Sequence, residues 1–478
     1  MSNSDTSTGL WTAKDAERAT NGAAEGDWIA SGVSIDTRAI EPGDLFTAIR
    51  GPNHDGHDHV ADALAKGAAA AMVERQFKGV ASSGDLLKVA DTEQGLRDLA
   101  AAARARSHAK ICAVTGSVGK TGTKELLSAA LGAHGKVTAT EGNLNNHYGL
   151  PLSLARMPAD SDFGVFEMGM NHVGEISPLS KLAKPHVAII TTIAPVHIEY
   201  FDSLEGIADA KAEIFEGLEP GGTVILNRDT PYFDRLVEKA KAAGAGMVWG
   251  FGVHSFANAR LLTYEPDIDG AHVEATIGSH HIKYRLGMRG KHWALNSLAV
   301  LIAAQAMGVD LDVAAAALKN VTPPKGRGLV IPVQVEDGKF NIIDETYNAS
   351  PIAVRAAFDV LSGTKPGRGG RRIVVLGDML ELGDKTENAH MSLVDDIVAH
   401  DFDLAFVCGQ YMADVHDALP EDLQSARACT SSKLIEKLTP HIRAGDLVLV
   451  KGSAGSHMGI VVDALRALGA TPSVEGDA

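Results

Sequence analysis

The chain is poor in cysteine, in positive charge and in long apolar runs. Only three cysteines occur among 478 residues: Cys112, Cys408 and Cys429. They are odd in number, far apart and in no CxxC pattern, which excludes a disulfide framework or a zinc site and fits a reducing cytoplasm. Basic residues number 44 against 60 acidic ones, a formal charge of -16. That balance excludes nucleic acid as a main partner, because a phosphate backbone demands a basic face. No apolar run reaches the roughly 18 residues a membrane helix needs, so no membrane insertion is expected. The opening "MSNSDTSTGLWTAKDAE" lacks a basic segment and an apolar core, so no signal peptide is expected either. Solenoid repeats and low-complexity segments are missing too.

What remains is ordinary globular composition, 45% apolar and 22% charged, with a length that predicts about two to four domains. Three α/β blocks are legible. Residues 1–107 form the smaller block, with short strands in "GVSIDT" and "DLFTAI" and turns at "EPGD" and "RGPNHDGHDH". "VADALAKGAAAAMVE" reads as helix, Gly stop and strand, and "TEQGLRDLAAAARARSH" as a helix bridging to the next block. Residues 108–328 alternate buried strands ("KICAVTG", "DFGVFEMG", "HVAIITTI", "GTVILN") with helices, the pattern of a central parallel sheet of P-loop type. From about 250 to 290 the pattern turns antiparallel, and "HWALNSLAVLIAAQAMGV" is a buried helix. "VTPPKGRG" breaks the chain. Residues 329–478 repeat strand and helix ("NIIDETY", "RRIVVLGD", "LAFVCG", "DLVLVKG"), a Rossmann-like, dinucleotide-fold sheet.

The residues with chemistry sit at strand ends. "TGSVGKT" runs from an apolar strand into a helix. Gly116 and Gly119 let backbone N–H groups close around phosphate oxygens; Lys120 adds a point charge, and Thr121 offers a hydroxyl to Mg²⁺. The strict phosphate-loop pattern has Gly where Val114 stands, so a plain strand-to-helix turn is the alternative. Such a loop serves hydrolases, kinases and ligases alike. Glu167 ends a strand where open α/β sheets bind ligands, and it suits Mg²⁺ or nothing more than a strand end. His197 ends another strand and is either a metal ligand or structural. Lys211 lies among apolar neighbours, where a free ammonium is costly, unless it snorkels to water. Asn145 and Asn146 read as turn and cap residues. Arg327 in "KGRG" suits a phosphate, and Asp344 suits a ribose hydroxyl or a helix cap. "HDGHDH" has the residues of a metal cluster, but its spacing fits a polar turn better.

These motifs, in this order, resemble the Mur ligases, ATP-dependent amide ligases of peptidoglycan precursor synthesis. The resemblance covers nearly the whole chain and rests on "TGSVGKT", "EMG", "KAEIF", "KGR" and "DETYNASP". "LWTAKDAERATNG", "VSIDTRAIEPGDLFTAIRG" and "VLGDMLELGDKTENAH" are similar to the branch that adds D-alanyl-D-alanine to UDP-N-acetylmuramoyl-tripeptide. The DNPR motif of the tripeptide-forming branch does not occur. Tripeptide synthetase and folylpolyglutamate synthetase stand as alternatives, and an inactive nucleotide-binding module as the non-enzyme alternative.

The resemblance implies roles. Thr115, Gly116, Ser117, Val118, Gly119, Lys120 and Thr121 would hold the ATP phosphates, Asn296 the nucleoside, Asp344 the ribose, and Arg327 a phosphate across the domain junction. Thr121 and Glu167 would bind Mg²⁺, His197 a second Mg²⁺, and Lys211 would act as a carbamate beside the metals. Asp36, Thr37 and Arg38 would hold the UDP-sugar, with Asn145, Asn146, Tyr347, Asn348 and Ser350 as further substrate contacts. The first block would bind the UDP-sugar, the second ATP, and the third would bring the amine. A monomer is expected. Two departures stand out: Trp293 replaces an Asn in "KHWALN", and Ala454 replaces an Arg in "KGSAGSHM".

Overall fold

The computed structural model describes residues 9–51, 53–79, 85–196, 198–267 and 269–469. Its largest sheet has nine strands, ordered His280–Leu286, Ala271–Ile277, Ala259–Pro266, Met247–Gly252, Thr223–Asn227, Val187–Ile190, Lys110–Thr115, Phe163–Glu167 and Val137–Ala139. Every residue of Phe163–Glu167 and Val187–Ile190 is buried. Helices cover both faces, which is why these strands read as unbroken apolar runs. The change of pattern near 250 marks no separate sheet. Ala259–Pro266 pairs in parallel with Met247–Gly252 and then antiparallel with Ala271–Ile277, so the hairpins extend the same sheet.

The chain order places the ligand site. Lys110–Thr115 has Phe163–Glu167 on one side and Val187–Ile190 on the other. It is therefore the switch strand, from which the chain winds both ways. Crevices beyond the carboxyl ends of such strands bind ligands, and the loop 116–119 starts there.

A five-stranded sheet lies N-terminal to this one, ordered Ala23–Glu25, Leu86–Val89, Ala70–Glu74, Asp44–Thr47 and Gly32–Ser34. Its bridging helix, Thr92–Arg106, packs on Gly149–Ala155 of the central region. A six-stranded sheet follows, ordered Leu329–Val335, Gly338–Glu345, Leu447–Lys451, Arg372–Gly377, Leu404–Cys408 and Gln424–Ala428. It is parallel except at Leu329–Val335. Here Leu447–Lys451 is inserted between earlier strands, so its carboxyl end is again a crevice.

The helix Lys291–Ala306 is apolar nearly all round, with eleven buried residues from Trp293 to Ala304. It lies against Lys120–Gly132, the helix that follows the phosphate loop. A helix of that composition has to be covered on every side, and this covering brings Trp293 and Asn296 to the loop. Among the described residues no helix is long and apolar enough to cross a membrane.

Candidate active site between the central and third sheets

The loop is bent by its glycines. Gly116 (φ +148°) and Gly119 (φ +87°) hold conformations that L side chains rarely adopt. There is also no room for a side chain: a Cβ at Gly116 would sit 1.9 Å from Thr191 Oγ1, and one at Gly119 2.8 Å from Asn296 Nδ2. Val114, where the strict pattern has Gly, is buried within the strand. The bend begins two residues later, so no glycine is required at 114.

The loop is tied to neighbouring strand ends. Thr115 Oγ1 donates to the Met168 carbonyl at 2.8 Å. Ser117 Oγ donates to the Ala194 carbonyl and accepts from its N–H, both at 2.9 Å. Thr191 Oγ1 donates to the Val118 carbonyl at 2.6 Å. Lys120 Nζ folds back on the Gly116 carbonyl at 2.9 Å.

The charges behind the loop are poorly matched. Burial pushes the Lys120 ammonium below the usual lysine range; Glu167 opposes that shift and Arg327 adds to it. Lys211 is 3% exposed. Burial, reinforced by Lys120, drives it well below the usual range. Glu167 is 1% exposed. Its Oε1 accepts from Asn145 Nδ2 at 2.7 Å, while its Oε2 is buried with no partner. A buried carboxylate oxygen without a donor is costly and fits a cation. His197 lies outside the described residues.

Across from the loop stands the third sheet. A cleft of about 300 Å³ is lined by Ser117–Gly122 and Asn296 on one side and by Arg327, Tyr347, Asn348 and Ser350 on the other. The Arg327 guanidinium stacks 3.8 Å from the centre of the Tyr347 ring. Asp344, 1% exposed, accepts from Gly326 N–H at 3.1 Å and from Thr346 Oγ1 at 2.6 Å. It thereby holds the turn that carries Arg327. Ser350 Oγ is buried and unpaired at the start of the helix Pro351–Gly363.

The structure does not bring every expected residue into this cleft. Asn146 caps the helix Gly149–Ala155, its Oδ1 accepting from Gly149 N–H at 2.9 Å. Asp36, Thr37 and Arg38 lie in the first sheet's region, where Asp36 and Arg38 pair with each other at 2.6 Å. That pairing holds the Asp36 carboxyl down at about 2. Within "HDGHDH", His57 Nε2 accepts from Glu74 N–H and its Nδ1 faces Asp55 at 2.6 Å, the bonding of a polar turn. Ala454 is exposed in the turn after the last strand.

Other cleft residues escape sequence reasoning. Lys451, buried, donates to Glu345 Oε2 at 3.1 Å and to the Asn348 carbonyl at 3.0 Å. His292 lines the same cleft, and its burial lowers its pKa. The available signal was a charge at the end of a buried strand, in "DLVLVKG" and "IIDETY".

A phosphate loop at a switch strand, closed by a second α/β sheet bearing an arginine, defines an ATP-dependent enzyme of several domains. The chain belongs to the Mur ligase family. Its residues 30–110 match the Mur ligase family catalytic domain, 114–304 the Mur ligase middle domain, and 332–454 the Mur ligase glutamate ligase domain. The chain is 34% identical to the UDP-N-acetylmuramoyl-tripeptide--D-alanyl-D-alanine ligase of Rickettsia prowazekii, over 90% of this chain and 94% of that one. It is 33% identical to the Escherichia coli enzyme of the same name, over 93% and 96%. Among solved structures, MurF from Acinetobacter baumannii superposes with a TM-score of 0.82 at 30% identity, covering 95% and 98%. MurF from Thermotoga maritima in complex with ADP gives 0.76 at 25% identity, covering 91% and 97%.

Proposed function

We propose that this chain joins D-alanyl-D-alanine to UDP-N-acetylmuramoyl-tripeptide, converting ATP to ADP and phosphate. The observation that carries the reading is the likeness to ligases of this name over more than nine-tenths of their length. The loop facing Arg327 supports the chemistry.

A carboxylate and an ammonium do not condense at neutral pH. In the proposed reaction a terminal carboxylate oxygen of the tripeptide attacks the γ-phosphorus and ADP leaves. The amine of D-alanyl-D-alanine, having lost its proton, then attacks the acyl carbon, and phosphate departs as the amide forms. Both partners of the first step are anions. Lys120 and Arg327 would offset their repulsion and stabilise the charge that develops. Loop N–H groups of 116–121 would orient the phosphates, Asn296 the nucleoside and Asp344 the ribose. Thr121 and the free Oε2 of Glu167 fit Mg²⁺, which would supply Lewis-acid neutralisation of phosphate charge. Lys211 fits a carbamate: burial and Lys120 both work against its ammonium, and the added carboxylate would face Lys120. Asp36, Thr37 and Arg38 would bind the UDP-sugar, with Asn145, Asn146, Tyr347, Asn348 and Ser350 as further contacts. Closure of the third domain on the cleft would exclude water from the acyl phosphate.

Three functional units, 1–107, 108–328 and 329–478, belong to the same proposal, as do a monomeric state and a cytoplasmic site. Phosphate release from ATP and Mg²⁺ tests it. Release is expected only with UDP-N-acetylmuramoyl-tripeptide and D-alanyl-D-alanine together, giving a product heavier by one dipeptide less one water. Turnover with the dipeptide precursor and a diamino acid would instead move the assignment one step earlier.

A further inference from the structure

Trp293 stands three residues before Asn296 on the helix Lys291–Ala306. Two of the chain's other three tryptophans bond their nitrogens within the fold: Trp11 Nε1 donates to the Ala155 carbonyl and Trp249 Nε1 to Met247 Sδ, while Trp28 Nε1 is buried without a partner. Trp293 is 5% exposed and lines the cleft. Its ring lies beside His292, with 5.3 Å between centroids. Among the described residues its Nε1 has no acceptor, and the residue lines the cleft.

The other edge of the indole is clamped. A Cβ at Gly122 would meet Trp293 Cζ3 at 1.9 Å and Cη2 at 2.2 Å. Gly122 is the third residue of the helix Lys120–Gly132. Glycine there sacrifices helix propensity, about 1 kcal/mol against Ala, and makes room for the ring. Trp293 and Asn296 are three residues apart on one helix and so share a face. That face looks at the loop, since Asn296 reaches Gly119 and Trp293 reaches Gly122. A nucleotide whose phosphates occupy 116–121 must carry its nucleoside past this pair. Ile352, Ala353 and Ala356 of the helix Pro351–Gly363 line the same cleft, an apolar surface suited to a flat ring.

We propose that Trp293 is the nucleoside wall of the ATP site: Gly122 fixes its indole, and its free N–H donates to the bound nucleoside. The assignment rests on the ligase reading above and makes Trp293 a nucleotide-positioning residue of this chain.

ADP titration tests it. Saturating ADP is expected to change tryptophan emission in the wild type, and Trp293→Phe is expected to abolish that change. Trp293→Phe keeps an aromatic ring over Gly122 and loses the N–H. The Kd for ADP, measured by calorimetry, and the KM for ATP should rise roughly 3–10-fold, the worth of one hydrogen bond, with kcat and the KM for the UDP-tripeptide unchanged. Gly122→Ser should weaken ADP binding by displacing the indole, and adding Trp293→Asn should restore it. Unaltered wild-type emission at saturating ADP overturns the assignment without any variant. So does a Trp293→Phe enzyme that binds ADP as the wild type does. A wild type that binds no ADP by calorimetry overturns the ligase reading itself.

Discussion

Glu167 and Asp446 are both carboxylates buried at a strand end, 1% and 0% exposed. Asp446, at the amino end of a third-sheet strand, accepts from Arg371 N–H at 3.0 Å and Nη2 at 2.7 Å, and from Arg443 N–H at 3.0 Å. Glu167, at the carboxyl end of a central strand, has one bond from Asn145 and a bare Oε2. The lysines repeat the contrast. Lys451 is bonded to Glu345 and Asn348, whereas Lys211 is buried with no hydrogen-bond partner among the described residues. A charge removed from water needs compensation. Where the fold supplies it, the charge serves the scaffold. Where the fold withholds it, the site is left to a ligand.

This contrast can be broken from either side. Asp446→Ala leaves Arg371, itself 20% exposed, without its partner. A loss of about 3–5 kcal/mol is expected for breaking a buried pair, seen as a lower first thermal transition, with turnover at low temperature close to wild type. Glu167→Gln should do the reverse. It removes a buried charge whose Oε2 has no donor, so the thermal midpoint should hold or rise, while turnover falls by roughly 10²–10³-fold, the scale of losing one electrostatic contact to the transition state. If Glu167→Gln unfolded the protein and kept its activity, the contrast would be wrong.

Asn145→Ala sharpens it. Asn145 Nδ2 donates to Glu167 Oε1 at 2.7 Å and so orients that carboxylate. Removing such a support typically costs about 10–100-fold in metal affinity. The Mg²⁺ concentration for half-maximal activity should rise on that scale, and excess Mg²⁺ should recover most of the rate.

What the sequence disclosed follows the same division. The loop 116–121 was legible because few chemistries need glycines at that spacing ahead of Lys-Thr. Lys211 was legible as a cation in an apolar helix. Asn145 looked like a turn residue, since its function depends on Glu167, 22 residues away. Lys451 closed an ordinary apolar strand, and its partner Glu345 lies more than 100 residues earlier; no local pattern couples them. The strands Val137–Ala139 and Gln424–Ala428 were missed because they are short edge strands, partly exposed, with little apolar run to read. Trp293 was visible as a departure, but its fit to Gly122 is a contact between two helices that only the fold supplies.

The smallest effect expected is a slope. His390 is fully buried. Its Nε2 accepts from Met379 N–H at 2.9 Å, so the ring proton sits on Nδ1 and goes to the Thr386 carbonyl at 2.7 Å. Protonating Nε2 would break the Met379 contact, with Asp378 Oδ1 at 3.9 Å as partial compensation. Burial holds the His390 pKa below its ordinary value, against the opposing pull of the Thr386 bond and Asp378. The unfolded chain binds a proton as pH falls through about 6.5, and the folded chain does not until its lower pKa is reached. Within that window unfolding takes up a proton, so stability falls as pH drops. His186 and His292 are lowered by burial and add to the same trend. His390→Gln keeps an acceptor for Met379 and cannot titrate. Thermal midpoints between pH 7 and 5 should fall less steeply in this variant, by at most one proton's worth, about 1.4 kcal/mol per pH unit. An unchanged slope would mean that Asp378 pairs with a protonated ring and that the scaffold side of the contrast holds one charge fewer in reserve than its geometry implies.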